Sequence, residues 1–239
     1  MLADSRPLFC NGSTLVPALQ ESLQVSERNL TRAAYIGASN GDAPELFELF
    51  AAAMDGINLH DSRMIRAEFG DEDKAFLEGA DLLLLAGGDA DDGWDIMKST
   101  GMDAVITKKY YAGAVIVGVS AGAMQLGMGW CGKDHRRVSG GLKLVPYYIS
   151  VHSEQDNWIH LRTLVKAKEE YAKGFGIPFG GAMIYHPDMS LEVVQYPVVE
   201  FQKSVKESGG MVQNLLLPEM AARAAADARG HVDEKLLIN

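Results

Sequence analysis

The sequence predicts an α/β fold of three layers, a mostly parallel sheet with helices on both faces, and two observations support it. Short apolar runs of strand length alternate with longer amphipathic patterns of helical period, which is the signature of βαβ units. One of those runs, Ala114-Val115-Ile116-Val117, leads directly into Gly118-Val119-Ser120-Ala121-Gly122, a Gly-x-Ser-x-Gly turn of the kind that joins a buried strand to a helix. A chain of 239 residues, 47% of them hydrophobic, is long enough to bury one large core. No repeat, linker or low-complexity stretch divides it, so residues 1–239 are read as a single domain.

Taken in order, strands are expected over Pro7–Cys10, Ala33–Ile36, Gly56–Leu59, Asp81–Ala86 and Ala114–Val119. Between the second and third, Ala43–Met54 sets Leu46, Phe47, Leu49, Phe50 and Ala53 largely on one face and reads as a crossover helix. After Ser120 the pattern changes. Gly140–Pro146 leads into Ile149-Ser150-Val151-His152, and Asp156–Lys173 reads as a helix with Trp158, Leu161, Leu164 and Val165 as its apolar stripe. A late β-hairpin is expected from Ala182–Tyr185 and Leu191–Gln195, joined by the turn formers of His186–Ser190. Pro218 then introduces an alanine-rich helix over Glu219–Arg229.

Composition narrows the function. A net charge of −10 with no basic stripe argues against nucleic acid or an anionic membrane surface as partner. Two cysteines, Cys10 and Cys131, do not make a disulfide framework and fit a reducing compartment. The segment Met1–Pro7 has no basic or long apolar character, and no apolar run reaches membrane-spanning length, so a cytoplasmic location is expected. No two histidines have a ligand spacing such as His-Glu-x-x-His, and neither a metal nor a cofactor is expected.

Chemistry centres on Ser120. The flanking glycines let the backbone turn sharply so that the hydroxyl stands clear of the sheet, and the amide of Ala121 is placed to hold a developing oxyanion. Sites in open parallel sheets collect at the carboxyl ends of strands. Asp81–Ala86 ends in Gly87-Gly88-Asp89, where Gly88 is a candidate second oxyanion donor; the same tripeptide also reads as a turn whose Asp89 caps the next helix. Of six histidines, His152 is the chosen base, because it ends a short apolar run just before a polar loop.

Three motifs, in order, carry a resemblance: Gly87-Gly88-Asp89, Gly118-Val119-Ser120-Ala121-Gly122-Ala123, and Gly141-Leu142-Lys143-Leu144-Val145-Pro146 followed by His152. Together they resemble the dipeptidase E and cyanophycinase family of serine peptidases over roughly Arg32 to Gln195. The resemblance implies a class I glutamine amidotransferase-like fold and hydrolysis of a small peptide or amide beside aspartyl residues. It implies Ser120 as nucleophile, His152 as base, and Gly88 with Ala121 as oxyanion donors. An α/β-hydrolase esterase fits less well, since there the histidine comes last, after the acid and usually in a longer chain, and no convincing late pair of that kind is evident.

The chain departs from that family in two places. Several members carry a glutamate before the late hairpin that orients the histidine; here the segment reads Gly176-Ile177-Pro178-Phe179-Gly180-Gly181, and Phe179 has no acid to offer. Asp134, near a position where dipeptidase E has an aspartate, is the best substitute, with Glu154 a second candidate. A homologue that has lost its acid and serves in binding or regulation is therefore the alternative to an active enzyme. Cyanophycinases also place an arginine-rich stretch after the histidine, whereas this chain has Ser153-Glu154-Gln155-Asp156-Asn157, with Arg162 the only arginine close behind. Asp89, Glu154, Asp156 and Arg162 are accordingly the candidate substrate-binding residues. The acids favour a substrate with a free amine or basic side chain, unless Asp91 and Asp92 merely answer a helix dipole. A homodimer is compatible with this reading.

Overall fold

The computed structural model describes residues 1–3, 17–21, 31–132, 138–168, 171–204 and 210–218. Its elements in chain order are β1 (Leu2–Ala3), β2 (Arg32–Ile36), α1 (Pro44–Asp55), β3 (Asp61–Ile65), α2 (Asp71–Gly79), β4 (Leu82–Leu85), α3 (Ala90–Thr100), α4 (Met102–Tyr111) and β5 (Val115–Val119). After the serine come α5 (Ala121–Leu126), the short pair β6 (Gly129–Cys131) and β7 (Val138–Gly140), then β8 (Tyr148–Val151), α6 (Ile159–Ala167) and β9 (Lys173–Ile177). The series closes with β10 (Ala182–Tyr185), β11 (Leu191–Val194), β12 (Val198–Lys203) and β13 (Met211–Leu216).

Seven strands form the main sheet in the order β11-β10-β1-β5-β4-β2-β3. Strands β1, β5, β4, β2 and β3 run parallel, while β10 and β11 add the antiparallel late hairpin at one edge, with Ala182 opposite Val194 and Tyr185 opposite Leu191. The sheet is apolar on both faces because helices cover both. The unbroken run of leucines in β4 divides accordingly: Leu83 and Leu85 join one buried cluster with Ile36 and Ile116, and Leu82 and Leu84 join the other with Tyr35, Val117 and Val119. At about 25 cal/mol per Å² of apolar surface, the burial of four leucines contributes several kcal/mol toward docking this strand.

A second sheet of four strands, β13-β12-β9-β8, was not foreseen from the sequence. Ile149, Val151, Phe175, Ile177 and Val198 turn one of its faces into the same cluster that holds Leu83 and Leu85. Trp158, Leu161, Val165 and Phe201 pack α6 on the other. Lys173 Nζ, Glu200 Oε1 and Asn214 Nδ2 link its strands, the lysine at 2.7 Å and the amide at 2.8 Å from the carboxylate. Burial of Glu200 disfavours its charge, but these donors and the lysine's charge prevail and hold the carboxyl below its ordinary range.

Several expectations need correction. Gly56–Leu59 is not a strand: Gly56 caps α1, donating its N–H to Ala52 O at 3.2 Å, and Asn58 at φ 64° turns the chain so that Leu59 is buried against the helix end. The strand that follows, β3, is an edge strand whose Asp61, Ser62 and Arg63 carry no apolar run. The expected helix over Asp156–Lys173 is shortened at both ends. It begins only at Ile159, after Asn157 and Trp158 at φ 50° and 55°, and Lys173 opens β9. Pro7–Cys10 and Glu219–Arg229 lie outside the described residues.

Candidate active site

Ser120 stands between β5 and α5 with φ 51° and ψ −111°, a strained conformation for a residue with a side chain. Its neighbours explain how the turn is held. A Cβ on Gly118 would lie 2.6 Å from Gly122 O, and a Cβ on Gly122 would lie 2.1 Å from Leu85 O in β4. Both glycines are thus required by close backbone approach. The Ser120 amide donates to Ala3 O at 2.8 Å, so the elbow is pinned to β1 as well.

The second sheet delivers the histidine. His152 follows β8, donates its amide to Ile177 O at 2.9 Å, and turns at φ 40°. The turn brings its Nε2 to 2.9 Å from Ser120 Oγ, within hydrogen-bond distance. The two residues are 32 positions apart and come from different sheets, so this meeting is made by the tertiary fold.

Both lie in a cleft of about 300 Å³. Gly88, Asp89 and Asp91 line one side, beside Ser120 and Ala121; Trp130, Cys131 and Gly132 form another, and His160, Leu161 and Leu164 of α6 a third. Gly88 sits at φ 138°, and a Cβ there would come within 2.0 Å of Ser39 O. Asp89 caps α3: its Oδ1 accepts the amides of Asp91 and Asp92, each at 3.0 Å. Asp91 Oδ1 in turn accepts from Trp130 Nε1 at 2.9 Å and Ser139 Oγ at 2.8 Å, which ties α3 to the β6–β7 pair. The acids near the cleft therefore hold backbone and walls together.

The remaining candidates lie elsewhere. Glu154, Asp156 and Arg162 stand outside the cleft lining. Glu154 Oε1 accepts the amide of Phe179 at 3.0 Å, and Phe179 itself is half exposed. Asp134 lies outside the described residues. Asp91 does border the cleft, as the acidic loop led one to expect, but its carboxylate is bonded to Trp130 and Ser139; His160 and Trp130 carry no sequence signal that marks them as lining residues. His160 falls inside the helix expected over Asp156–Lys173, and its place in the first turn of α6 becomes visible only once Trp158 delays the helix start. Among the described residues no cluster of histidine, cysteine and carboxylate side chains is arranged to hold a metal ion, and no helix is long and apolar enough to cross a membrane.

A family model described as peptidase family S51 matches residues 15–192. The chain belongs to that family. It is accordingly a serine peptidase, and the elbow and histidine just described lie inside the matched region. No curated protein matches the chain. Among solved structures, this S51 member is similar to a peptidase from an acI-B1 Actinobacterium, with a TM-score of 0.69 at 16% identity, over 91% of this chain and 93% of that one. It is also similar to a putative peptidase E protein from Listeria monocytogenes EGD-e, with a TM-score of 0.55 at 17% identity, over 90% of this chain and 97% of the other. At such identities the likeness concerns the fold, a peptidase E-type α/β arrangement.

Proposed function

We propose that the protein hydrolyses a small peptide or amide through an acyl-enzyme on Ser120, with His152 as general base. The observation that carries this is the 2.9 Å approach of His152 Nε2 to Ser120 Oγ. In the first step Oγ attacks the scissile carbonyl carbon while its proton passes to Nε2. The carbonyl π electrons move onto oxygen, where the amides of Gly88 and Ala121 are the proposed donors; both residues border the cleft beside Ser120. Collapse of the tetrahedral intermediate breaks the C–N bond, and the proton on Nε2 goes to the leaving amine. Water then attacks the ester with the imidazole again taking the proton, releasing the acid and regenerating Ser120.

Asp134 is the proposed partner of the imidazole's other nitrogen. It follows Trp130, Cys131 and Gly132, which form a wall of the cleft, by two residues. The small cleft fits a substrate of one or two residues near the scissile bond. Because Asp89, Asp91 and Glu154 all hold protein groups, the choice between an aspartyl and a basic substrate is put to experiment. A panel of Asp-Xaa, Lys-Xaa and neutral dipeptides, assayed by release of the second amino acid, is expected to yield turnover that Ser120→Ala abolishes. Turnover that survives Ser120→Ala would contradict the acyl-enzyme route.

A further inference from the structure

The loop that carries His152 passes three times through the left-handed region and ends on a tryptophan that region does not suit. Between β8 and α6, His152, Asn157 and Trp158 take φ values of 40°, 50° and 55°. Asn and His enter that left-handed region more readily than most residues, whereas a residue as bulky as Trp holds it only where surrounding contacts over-determine it. Inside the loop, Asn157 N–H donates to Glu154 O at 3.0 Å and Trp158 N–H to Ser153 O at 3.1 Å. Two longer-range contacts then fasten it. Trp158, buried to 4% exposure, lays its ring over Gly176 of β9, where a Cβ would stand 2.6 Å from the ring. At the other end Glu154 Oε1 accepts the backbone N–H of Phe179 at 3.0 Å, reaching across 25 residues to the turn after β9.

We propose that Glu154 is a positioning residue: its carboxylate, anchored on the Phe179 amide, straps the loop so that His152 keeps its Nε2 on Ser120. The inference rests on the reading of His152 as the base. His152 is bracketed by this strap and by its own amide bond to Ile177 O at 2.9 Å. Both anchors sit at the end of β9, two residues apart on either side of Pro178. An exposed hydrogen bond contributes little to global stability, but a strained loop freed of one anchor relaxes locally. A displacement near 1 Å at a reacting group costs about 10²-fold in rate. Losing the strap therefore shows in chemistry before it shows in melting.

The donor side offers an independent handle. Gly181 N–H donates to Pro178 O at 2.9 Å and Gly180 has φ 80°, which makes residues 178–181 a turn of type II with Phe179 at its second position. Proline is favoured there, so Phe179→Pro removes the N–H while suiting the turn.

The test is saturation kinetics of fluorophosphonate labelling at Ser120 in the full chain, comparing wild type with Glu154→Ala, Glu154→Gln, Phe179→Pro and the Glu154→Ala/Phe179→Pro double variant. Glu154→Ala and Phe179→Pro are each expected to lower the limiting labelling rate by about 10- to 100-fold with little change in the half-saturating probe concentration. Glu154→Gln keeps an oxygen acceptor and is expected to stay within about threefold of wild type. The double variant should be no slower than the slower single variant, because both changes remove one bond. A Glu154→Ala rate equal to wild type, a Gln variant as slow as Ala, multiplicative losses in the double variant, or a change confined to half-saturation would each overturn the strap. Absence of labelling in wild type would instead contradict the reading of Ser120 and His152 themselves, and the strap with it.

Discussion

The serine and the histidine reach the same cleft by opposite means. The Ser120 elbow is built locally: Gly118 and Gly122 stand two residues to either side, and backbone oxygens of Gly122 and Leu85 lie where their Cβ atoms would be. The His152 loop is built at a distance, from a tryptophan seated on a glycine 18 residues later and a glutamate bonded to an amide 25 residues later. The contrast teaches where each can fail. Disturbing the elbow pushes backbone into backbone, whereas disturbing the loop pushes backbone into a side chain.

The largest effect is expected from removing the pair that the two regions bring together. Ser120→Ala and His152→Ala are each predicted to reduce kcat/KM by about 10⁴- to 10⁶-fold, and the double variant to do little worse, since the residues act as a unit. A calorimetric scan of both variants should show a folded protein, because neither side chain supports the core. Next comes Gly122→Ala. Its Cβ would lie 2.1 Å from a carbonyl oxygen of β4, so either the helix or the strand must move. Loss of about 3 kcal/mol or more is expected, a fall of roughly 6–12 °C in Tm for a chain of this size. A Tm within error of wild type would mean that the elbow is far more yielding than the contacts imply.

Gly176→Ala sharpens the comparison from the other side. The obstructing atoms belong to the Trp158 ring and not to backbone, so a cost of about 1–3 kcal/mol is expected by chemical denaturation. Activity should fall proportionally more than stability, because the ring anchors the loop that ends in His152. Equal activity would detach Trp158 from the histidine's placement.

The smallest effect on chemistry belongs to Glu200→Gln, which lies in the second sheet outside the cleft lining. Its folded carboxyl is depressed, so its contribution to stability is present above the ordinary carboxylate range and is lost as pH falls below that range. The variant is predicted to lose about 1–2 kcal/mol at neutral pH and to show a flatter acid limb in stability against pH, with peptidase activity unchanged. An acid limb as steep as that of wild type would remove Glu200 from the linkage.

What was legible in the sequence follows the same division. Strands β2, β4 and β5 and the late hairpin were readable because their apolar runs are bounded by turn formers, and the elbow was readable because close packing demands glycine at fixed spacing. Strand β3 was misplaced by a few residues, since an edge strand of Asp61, Ser62 and Arg63 has no hydrophobic signature. The second sheet went unseen because β9 is interrupted by Gly174 and Gly176, whose lack of a side chain is what admits Leu161 and Trp158. His152 was found by its place at the end of an apolar run. The contacts that hold it could not be found that way, because the bond from Glu154 ends on a backbone amide and leaves no mark in the identity of Phe179.

The central claim is that His152 makes Ser120 a nucleophile, and the most direct measurement is covalent labelling by a fluorophosphonate probe with the modified peptide mapped by mass spectrometry. Wild type is predicted to be labelled at Ser120 alone, with His152→Ala slower by about 10³-fold or more at the same probe concentration. Labelling at another residue, or at an undiminished rate in His152→Ala, would contradict the account.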